Sequence, residues 1–286
     1  MAIGFGFVAP AILVLATFQY WPAINIVRVS LTDQLLLRPT SSFVGLENYT
    51  RIAQDGRFWN AALNTLYFVA ASVPLQVALA LVLALALART LKRVAFLRTV
   101  FFLPVAGSLV ALSVVWNWIY HPRLGTLNGV LRLFGIPRIA WLLDPVWAMP
   151  ALVLLVVWTG TGYYMVIYLA GLVDLDSEYY EAARIEGATR LQTFSRITWP
   201  LLAPTTYLIM ILQVIASFQV FTTVYVMTGG GPARSTEVLV FYLYQRAFES
   251  MEFGYASAIA VVLFVFLVTT TLLLRRLYGT RVSYDR

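Results

Sequence analysis

Cysteine is absent from this 286-residue chain, so it has no disulfide framework, thiolate metal site or cysteine nucleophile. Histidine is nearly absent, and the single His121 rules out a histidine ligand cluster. It lies beside Pro122, just after Trp116, Trp118 and Tyr120, and reads as an interfacial belt residue, because amphipathic rings concentrate at membrane boundaries. Charge is scarce. Only 12% of the residues are Asp, Glu, Lys or Arg and 60% are hydrophobic, whereas soluble domains carry roughly a quarter charged residues. With a mean hydropathy of +0.80, the chain has too little polar surface for a soluble globule, and the apolar excess faces lipid. A metal-dependent or acid–base enzyme embedded in the membrane would need clustered ligands or paired acids in the bilayer, and no such pattern occurs.

The net charge of +7 does not indicate nucleic acid. The basic residues are scattered among short segments between apolar runs and make no basic face, which suits membrane topology better. The opening MAIGFGFVAPAILVLATFQYW has no positive leader, and its apolar run outlasts a signal-peptide core, so it reads as a span that stays.

A helix needs about 20 apolar residues to cross a hydrocarbon core of about 30 Å. Six stretches qualify: 3–27, 61–88, 99–120, 146–172, 203–228 and 254–274. Pro10, Pro22, Pro74 and Pro104 interrupt the first three, as neighbouring helices in a bundle can tolerate. The fold expected is all-α and polytopic, with six transmembrane helices in a single domain over 1–286 and a core over about 60–278. One set of intervening segments holds Arg89, Lys92, Arg93, Arg98, Arg184, Arg190, Arg196, Arg275, Arg276, Arg281 and Arg286, and the other set holds nine arginines in longer segments. The positive-inside bias assigns the first, shorter set and both termini to the cytoplasm. Residues 28–60, 121–145 and the turn-forming TGGGPARST at 228–236 read as outer loops.

One segment breaks the apolar pattern. EYYEAARIEGATRLQTFSRITWP, residues 178–200, is charged and helical in spacing. Ser177 is placed to cap a helix whose first turn carries Glu178 and Glu181, where the helix dipole favours acid. Glu181 with Arg184 and Glu186 with Arg190 stand at neighbour spacings worth about 0.2–0.5 kcal/mol each. Gly187 should bend the chain into a second short helix around Leu191–Ile197, before Pro200 and Pro204 return it to the bilayer. Ala183 and Gly187, four apart, with Ala182 and Ala188 beside them, would admit a close partner. A helix lying on anionic lipid should be rich in basic residues. Residues 174–190 instead carry Asp174, Asp176, Glu178, Glu181 and Glu186 against Arg184 and Arg190, so the expected partner is protein.

Polar groups inside spans tend to face a cavity or another helix. The fourth span carries Thr159, Thr161, Tyr163 and Tyr164 around Gly160 and Gly162, which read as loosening the helix. The fifth carries Gln213, Ser217, Gln219, Thr222 and Thr223 interleaved with Phe218 and Phe221. Hydroxyls, amides and aromatic faces suit a sugar. The same groups could instead knit the spans together, since interhelical hydrogen bonds average about 0.6 kcal/mol. No basic residue sits within a span, which favours a neutral solute over a phosphorylated one. No acidic residue sits there either, which disfavours an ion-coupled secondary carrier.

Glu181-Ala182-Ala183, Gly187, Phe194, Ile197, Pro200 and Pro204 together resemble the EAA loop of inner-membrane permease subunits of ATP-binding-cassette importers. Glu186 stands where that family usually has aspartate. FVGLENY at 43–49, RTVFFLP at 98–104 and VFTTVYVMTGGGP at 220–232 extend the resemblance over almost the whole chain, to the carbohydrate-type branch that handles sugars and glycerol phosphate.

The resemblance implies a type I importer permease fold in the plasma (inner) membrane of a prokaryote. It implies that an EAA coupling loop at 174–204 inserts into a cytoplasmic ATPase through Glu181, Ala182, Ala183, Glu186, Gly187, Ala188, Arg190 and Phe194. A sugar would be held by residues among Thr161, Tyr163, Gln213, Ser217, Phe218, Gln219 and Phe221. Ser217 and Gln219 replace the asparagines common in maltose-type relatives. The implied partners are a second homologous permease forming a heterodimer, two copies of the ATP-binding subunit, an extracytoplasmic solute-binding protein and membrane lipid, with no nucleic acid. No G-x-x-x-x-G-K-[ST] occurs here. The chain is therefore expected to hold no cofactor and to be no enzyme, with ATP and magnesium bound by the partner ATPase.

Overall fold

A computed structural model of the chain describes residues 2–38, 40–88 and 92–278. Arg89, Arg281 and Arg286, counted in the topology above, lie outside them, as do the side chains of Lys92 and Arg93. Among the described residues the chain is helical, with one isolated antiparallel bridge between Thr32 and Phe43. It forms two compact units, Met1–Ala62 with Leu239–Phe266, and Leu63–Val238 with Leu267–Arg286.

In the first unit, α1 (Ala2–Leu15), a wide π turn (Ala16–Tyr20) and α2 (Trp21–Val29) make the first span. Every side chain from Val8 to Arg28 is exposed, as an apolar helix bathed in lipid would be. The unit's core gathers Ile52 of α3 (Glu47–Gln54), Phe58, Ala61 and Ala62 of α4 (Gly56–Leu87), Leu239 and Tyr242 of α14 (Leu239–Tyr244), and Tyr255, Ala258 and Ile259 of α15 (Phe253–Tyr278). Asp55 pins this end. Its carboxylate accepts from the hydroxyls of Tyr242 and Tyr255, the latter at 2.6 Å, and from the backbone N–H groups of Arg57 and Phe58 at 2.9 and 3.3 Å. Arg246 donates to the Tyr242 hydroxyl at 2.8 Å and pairs with Glu252 at 3.3 Å, and Arg51 meets the same Glu252 at 2.9 Å. Burial pushes the Asp55 carboxyl up, but the two tyrosine hydroxyls and the two backbone donors outweigh it and hold it below its ordinary value.

The second unit is built on α4, α8 (Pro145–Val173) and α12 (Ala203–Phe218). Ala80, Leu81, Ala84 and Leu87 pack with Tyr164, Met165, Tyr168 and Leu169, and with Leu202 and Ile209. Small residues set the spacing between these helices. A Cβ on Gly171 would stand 2.6 Å from the Thr205 hydroxyl, and one on Gly162 would meet the Phe101 carbonyl. Asp144 caps α8, its side chain accepting from the Val146 N–H at 2.8 Å, and Pro145 takes the first helical position, where a missing donor costs nothing.

Two spans depart from the sequence expectation. The third, read as continuous over 99–120, is α5 (Lys92–Phe102) and a 3₁₀ turn (Leu103–Ala106), then α6 (Leu109–Ile119) after a bend of 100°. Pro104 and an extended Gly107 carry the break, because proline withholds a donor where the ladder would need one. The fifth, read as 203–228, stops at Phe218. Gln219–Phe221 leave helical geometry before α13 (Thr222–Met227). The segments read from sequence as outer loops also hold helices, α3 and α7 (Thr126–Leu133).

Candidate functional site: a polar cavity and a charged elbow

Where α12 breaks at Gln219, a cavity of about 240 Å³ opens against α4 and α8. Its wall includes Gln76, Thr159, Tyr164, Gln213, Ser217 and Gln219, with Phe68 and Phe221 as aromatic faces. A polar ladder runs along one side. The Gln76 amide donates to the Val156 carbonyl at 3.2 Å and accepts from the Gln213 amide. Gln213 also donates to the Ser217 hydroxyl at 3.4 Å, and that hydroxyl meets Ser72 at 3.2 Å. Ser72, Gln76, Gln213 and Ser217 are all buried. A buried amide must find partners, and here each finds one on another span.

The ladder is not saturated. An amide nitrogen has two N–H donors, and one bond is formed by that of Gln76. The Thr223 hydroxyl, fully buried at the cavity wall, has no protein partner. Gln219 presents an exposed amide at the mouth. Phe221 stacks on Tyr225 with ring centroids 5.2 Å apart. The site therefore offers unpaired donors and acceptors beside ring faces, the chemistry of a hydroxyl-rich solute.

Of the residues assigned to substrate from sequence, Gln213, Ser217, Gln219 and Phe221 come together at this cavity. Thr161, Tyr163 and Phe218 do not line it. Thr161 donates to the Val157 carbonyl at 2.5 Å and borders a separate apolar cavity of about 910 Å³ beside the third-span break. Tyr163 is 44% exposed on the outside of α8, and Phe218 is buried packing. Gln76 was missed, although it is the one amide between residues 66 and 87. Gly160 does not loosen α8, which runs unbroken. Its missing side chain leaves the space that the Gln76 amide occupies.

At the far end of α8 the chain turns through Asp174–Asp176 into α9 (Ser177–Ile185). Asp176, not Ser177, is the cap, accepting from the Glu178 N–H at 3.0 Å. Gly187 ends the helix at φ +72°. The Ala188 N–H reaches the Ala183 carbonyl at 2.9 Å and the Gly187 N–H the Arg184 carbonyl at 3.1 Å, which is a Schellman closure. Thr189 then opens α10 (Arg190–Thr193) with a reciprocal capping box to Gln192. A π turn (Phe194–Thr198) and α11 (Trp199–Leu201) lead into α12 across a bend of 63°.

The expected small-residue face is redistributed. Ala183 is buried within the chain, and Gly187 serves the turn, with open space around it. Among the described residues Glu181 and Arg184, and likewise Glu186 and Arg190, make no ion pair, and all four point to solvent. Ala182 is exposed, and Ala188 and Phe194 are half-buried. What the elbow presents outward instead is apolar: Ile185 is 88% and Leu191 75% exposed, one on each short helix.

Long apolar helices, two bent spans and a charged elbow between the fourth and fifth crossings define a multi-pass membrane protein. The chain belongs to the family of binding-protein-dependent transport system inner membrane components, whose profile matches residues 49–284. It is 35% identical over 278 residues to the "Probable ABC transporter permease protein YurN" of Bacillus subtilis, covering 96% of this chain and 95% of that one. To the lactose transport system permease protein LacF of Rhizobium radiobacter it is 35% identical over 286 residues, covering 97% and 94%. Among solved structures, a bacterial ABC transporter involved in the import of the acidic polysaccharide alginate superposes with a TM-score of 0.86 at 22% identity, over 98% of this chain and 96% of that one. That likeness places the fold in the ABC importer permease class.

Proposed function

We propose that this chain forms part of the translocation pathway of a sugar importer, taking solute from an extracytoplasmic binding protein and coupling its passage to a separate ATPase through residues 174–204. The observation that carries the reading is the unsaturated amide and hydroxyl wall at the α12 break, faced by Phe68 and Phe221. Its position, amid four spans and with no Asp, Glu, His, Lys or Arg in its wall, suits a neutral, hydroxyl-rich solute. The lactose relative supports the same substrate class.

Energy must come from elsewhere. The chain carries no P-loop, so ATP and magnesium are bound by two copies of a cytoplasmic partner, and this subunit is not itself an enzyme. Glu181, Ala182, Glu186 and Arg190, exposed around Ile185 and Leu191, form the docking face. Ala183, Gly187, Ala188 and Phe194 shape the elbow beneath it. A second, homologous permease completes the pathway, and both termini lie in the cytoplasm. Closure of the paired ATPases moves α9–α11 as a rigid lever, and α12, bent from that lever by 63°, transmits the motion to the cavity wall.

The test is ATP-driven uptake of a labelled disaccharide by the reconstituted complex. S217A and Q219A are expected to reduce uptake with normal assembly. Unchanged uptake kinetics in both would return these residues to a packing role and remove the cavity from the pathway.

A further inference from the structure

The segment joining the end of α6 at Ile119 to the start of α8 at Pro145 is folded, and it is apolar on both of its faces. Inward, Leu127 and Leu131 of α7 with Ile139 and Leu142 pack on Tyr120, Trp141 and Ala151. Asn128 fastens the segment, donating to the carbonyls of Pro122 and Ile139 at 3.2 and 2.9 Å and accepting from the Ile139 N–H and the Trp141 indole at 3.2 Å. Outward, Leu124, Val130, Leu133, Phe134 and Ile136 are exposed, Leu133 at 82% and Phe134 at 76%. The segment is held rigid with that face turned out, so it is built to be covered.

Its charge and position identify the cover. From His121 to Leu143 there are three arginines, Arg123, Arg132 and Arg138, and no acidic residue. All three are exposed, and none of their side chains has a partner among the described residues. Both ends of the segment are span ends, and Trp118 and Trp147 stand exposed beside it as a boundary belt. A basic rim around bulky apolar anchors at the membrane boundary is the pattern of an interfacial helix. The elbow at the other end of α8, acidic and poorer in such anchors, shows the opposite pattern.

We propose that residues 121–143 form a seat for anionic phospholipid, with Leu133, Phe134 and Ile136 in the acyl boundary and Arg123, Arg132 and Arg138 on headgroup phosphates. The seat would fix the hinge between α6 and α8 to the leaflet opposite the elbow while the elbow moves. This inference depends on the membrane topology alone and is independent of the transported solute.

The absence of cysteine makes the test clean. Full-length L133C and F134C, spin-labelled and reconstituted into vesicles with or without phosphatidylglycerol, report oxygen against nickel-chelate accessibility. The expected result is a lipid-type signature, high oxygen and low nickel access, in anionic vesicles. Each Arg→Gln change is expected to lower the lipid-protected fraction relative to the exposed one about fivefold, from ~1 kcal/mol per basic residue at an anionic surface, and added salt should do the same. A water-type signature in all vesicles overturns the proposal. So does protection that arises only on adding the solute-binding protein, which would assign the face to a protein contact. A lipid-type signature indifferent to phosphatidylglycerol and to the arginines overturns the anionic specificity.

Discussion

Gln76 and Gln213, 137 residues apart in the chain, meet amide to amide and join the second and fifth spans at the cavity wall. Removing one partner leaves the other buried and unsatisfied, at a cost of about 1–3 kcal/mol, whereas replacing both with apolar groups of similar shape can be nearly neutral. Q76L and Q213L are each expected to lower the thermal stability of the reconstituted complex, and Q76L/Q213L to lose less than the sum. Uptake is expected to fall in all three. Additive losses of stability would show that the two amides act separately.

Gly160 and Gly162 lie two residues apart on α8 and face different neighbours. An added Cβ at Gly160 meets the mobile end of Gln76, whereas at Gly162 it meets the backbone of Phe101. Side-chain ends can move and a packed backbone resists. G160A should therefore assemble normally and alter uptake through the displaced Gln76, while G162A should reduce the yield of folded protein. Size-exclusion profiles and uptake on the same preparations check both.

Gly187 holds the elbow's turn at φ +72°. An L-residue other than Asn or Asp there costs about 1–2 kcal/mol, so G187A is expected to raise amide exchange at Ala183–Ala188. G187N should be milder, since asparagine tolerates this conformation. Equal exchange in all three proteins would contradict the role assigned to the turn.

Asp55 ties α14 and α15 to the start of α4. Its carboxylate is held below the ordinary value of 3.8, so its contribution to stability is fully present above that value and is lost as pH falls through the lower, folded one. At neutral pH D55N should unfold at a lower temperature than the wild type. The gap should narrow as acidity rises past the folded value. A gap constant with pH would mean that charge is not what the two tyrosines recognise.

Much of this architecture is legible in the sequence because hydropathy runs report directly on lipid burial. The second, fourth and sixth spans lie within a few residues of their expected limits. The third-span break is not legible in that way. Pro104 reads as a tolerable kink, and the bend of 100° appears only in the folded chain, where Gly107 is extended and the Phe101 backbone lies against Gly162. Asp176 and Ser177 are adjacent and equally able to cap, and backbone geometry chose the aspartate. At the cavity, local chemistry picked out Gln213, Ser217, Gln219 and Phe221. It could not separate Thr161 and Tyr163 from them, because an unbroken helix turns those two toward other surroundings. Gln76 carried a readable signal, a lone amide in an apolar run, and its partner becomes visible only once the spans are packed.

The central claim is that the elbow between the fourth and fifth spans is gripped by a separate ATPase on the cytoplasmic side. I185C, at the most outward apolar position of α9 in a chain otherwise free of cysteine, tests it directly by cross-linking in the assembled complex in native membranes. The predicted result is a cross-link to the ATP-binding subunit that changes in yield when ATP is added, with no labelling of intact cells by a membrane-impermeant maleimide. Ready labelling from outside the cell, with no cross-link to that subunit, would contradict the account.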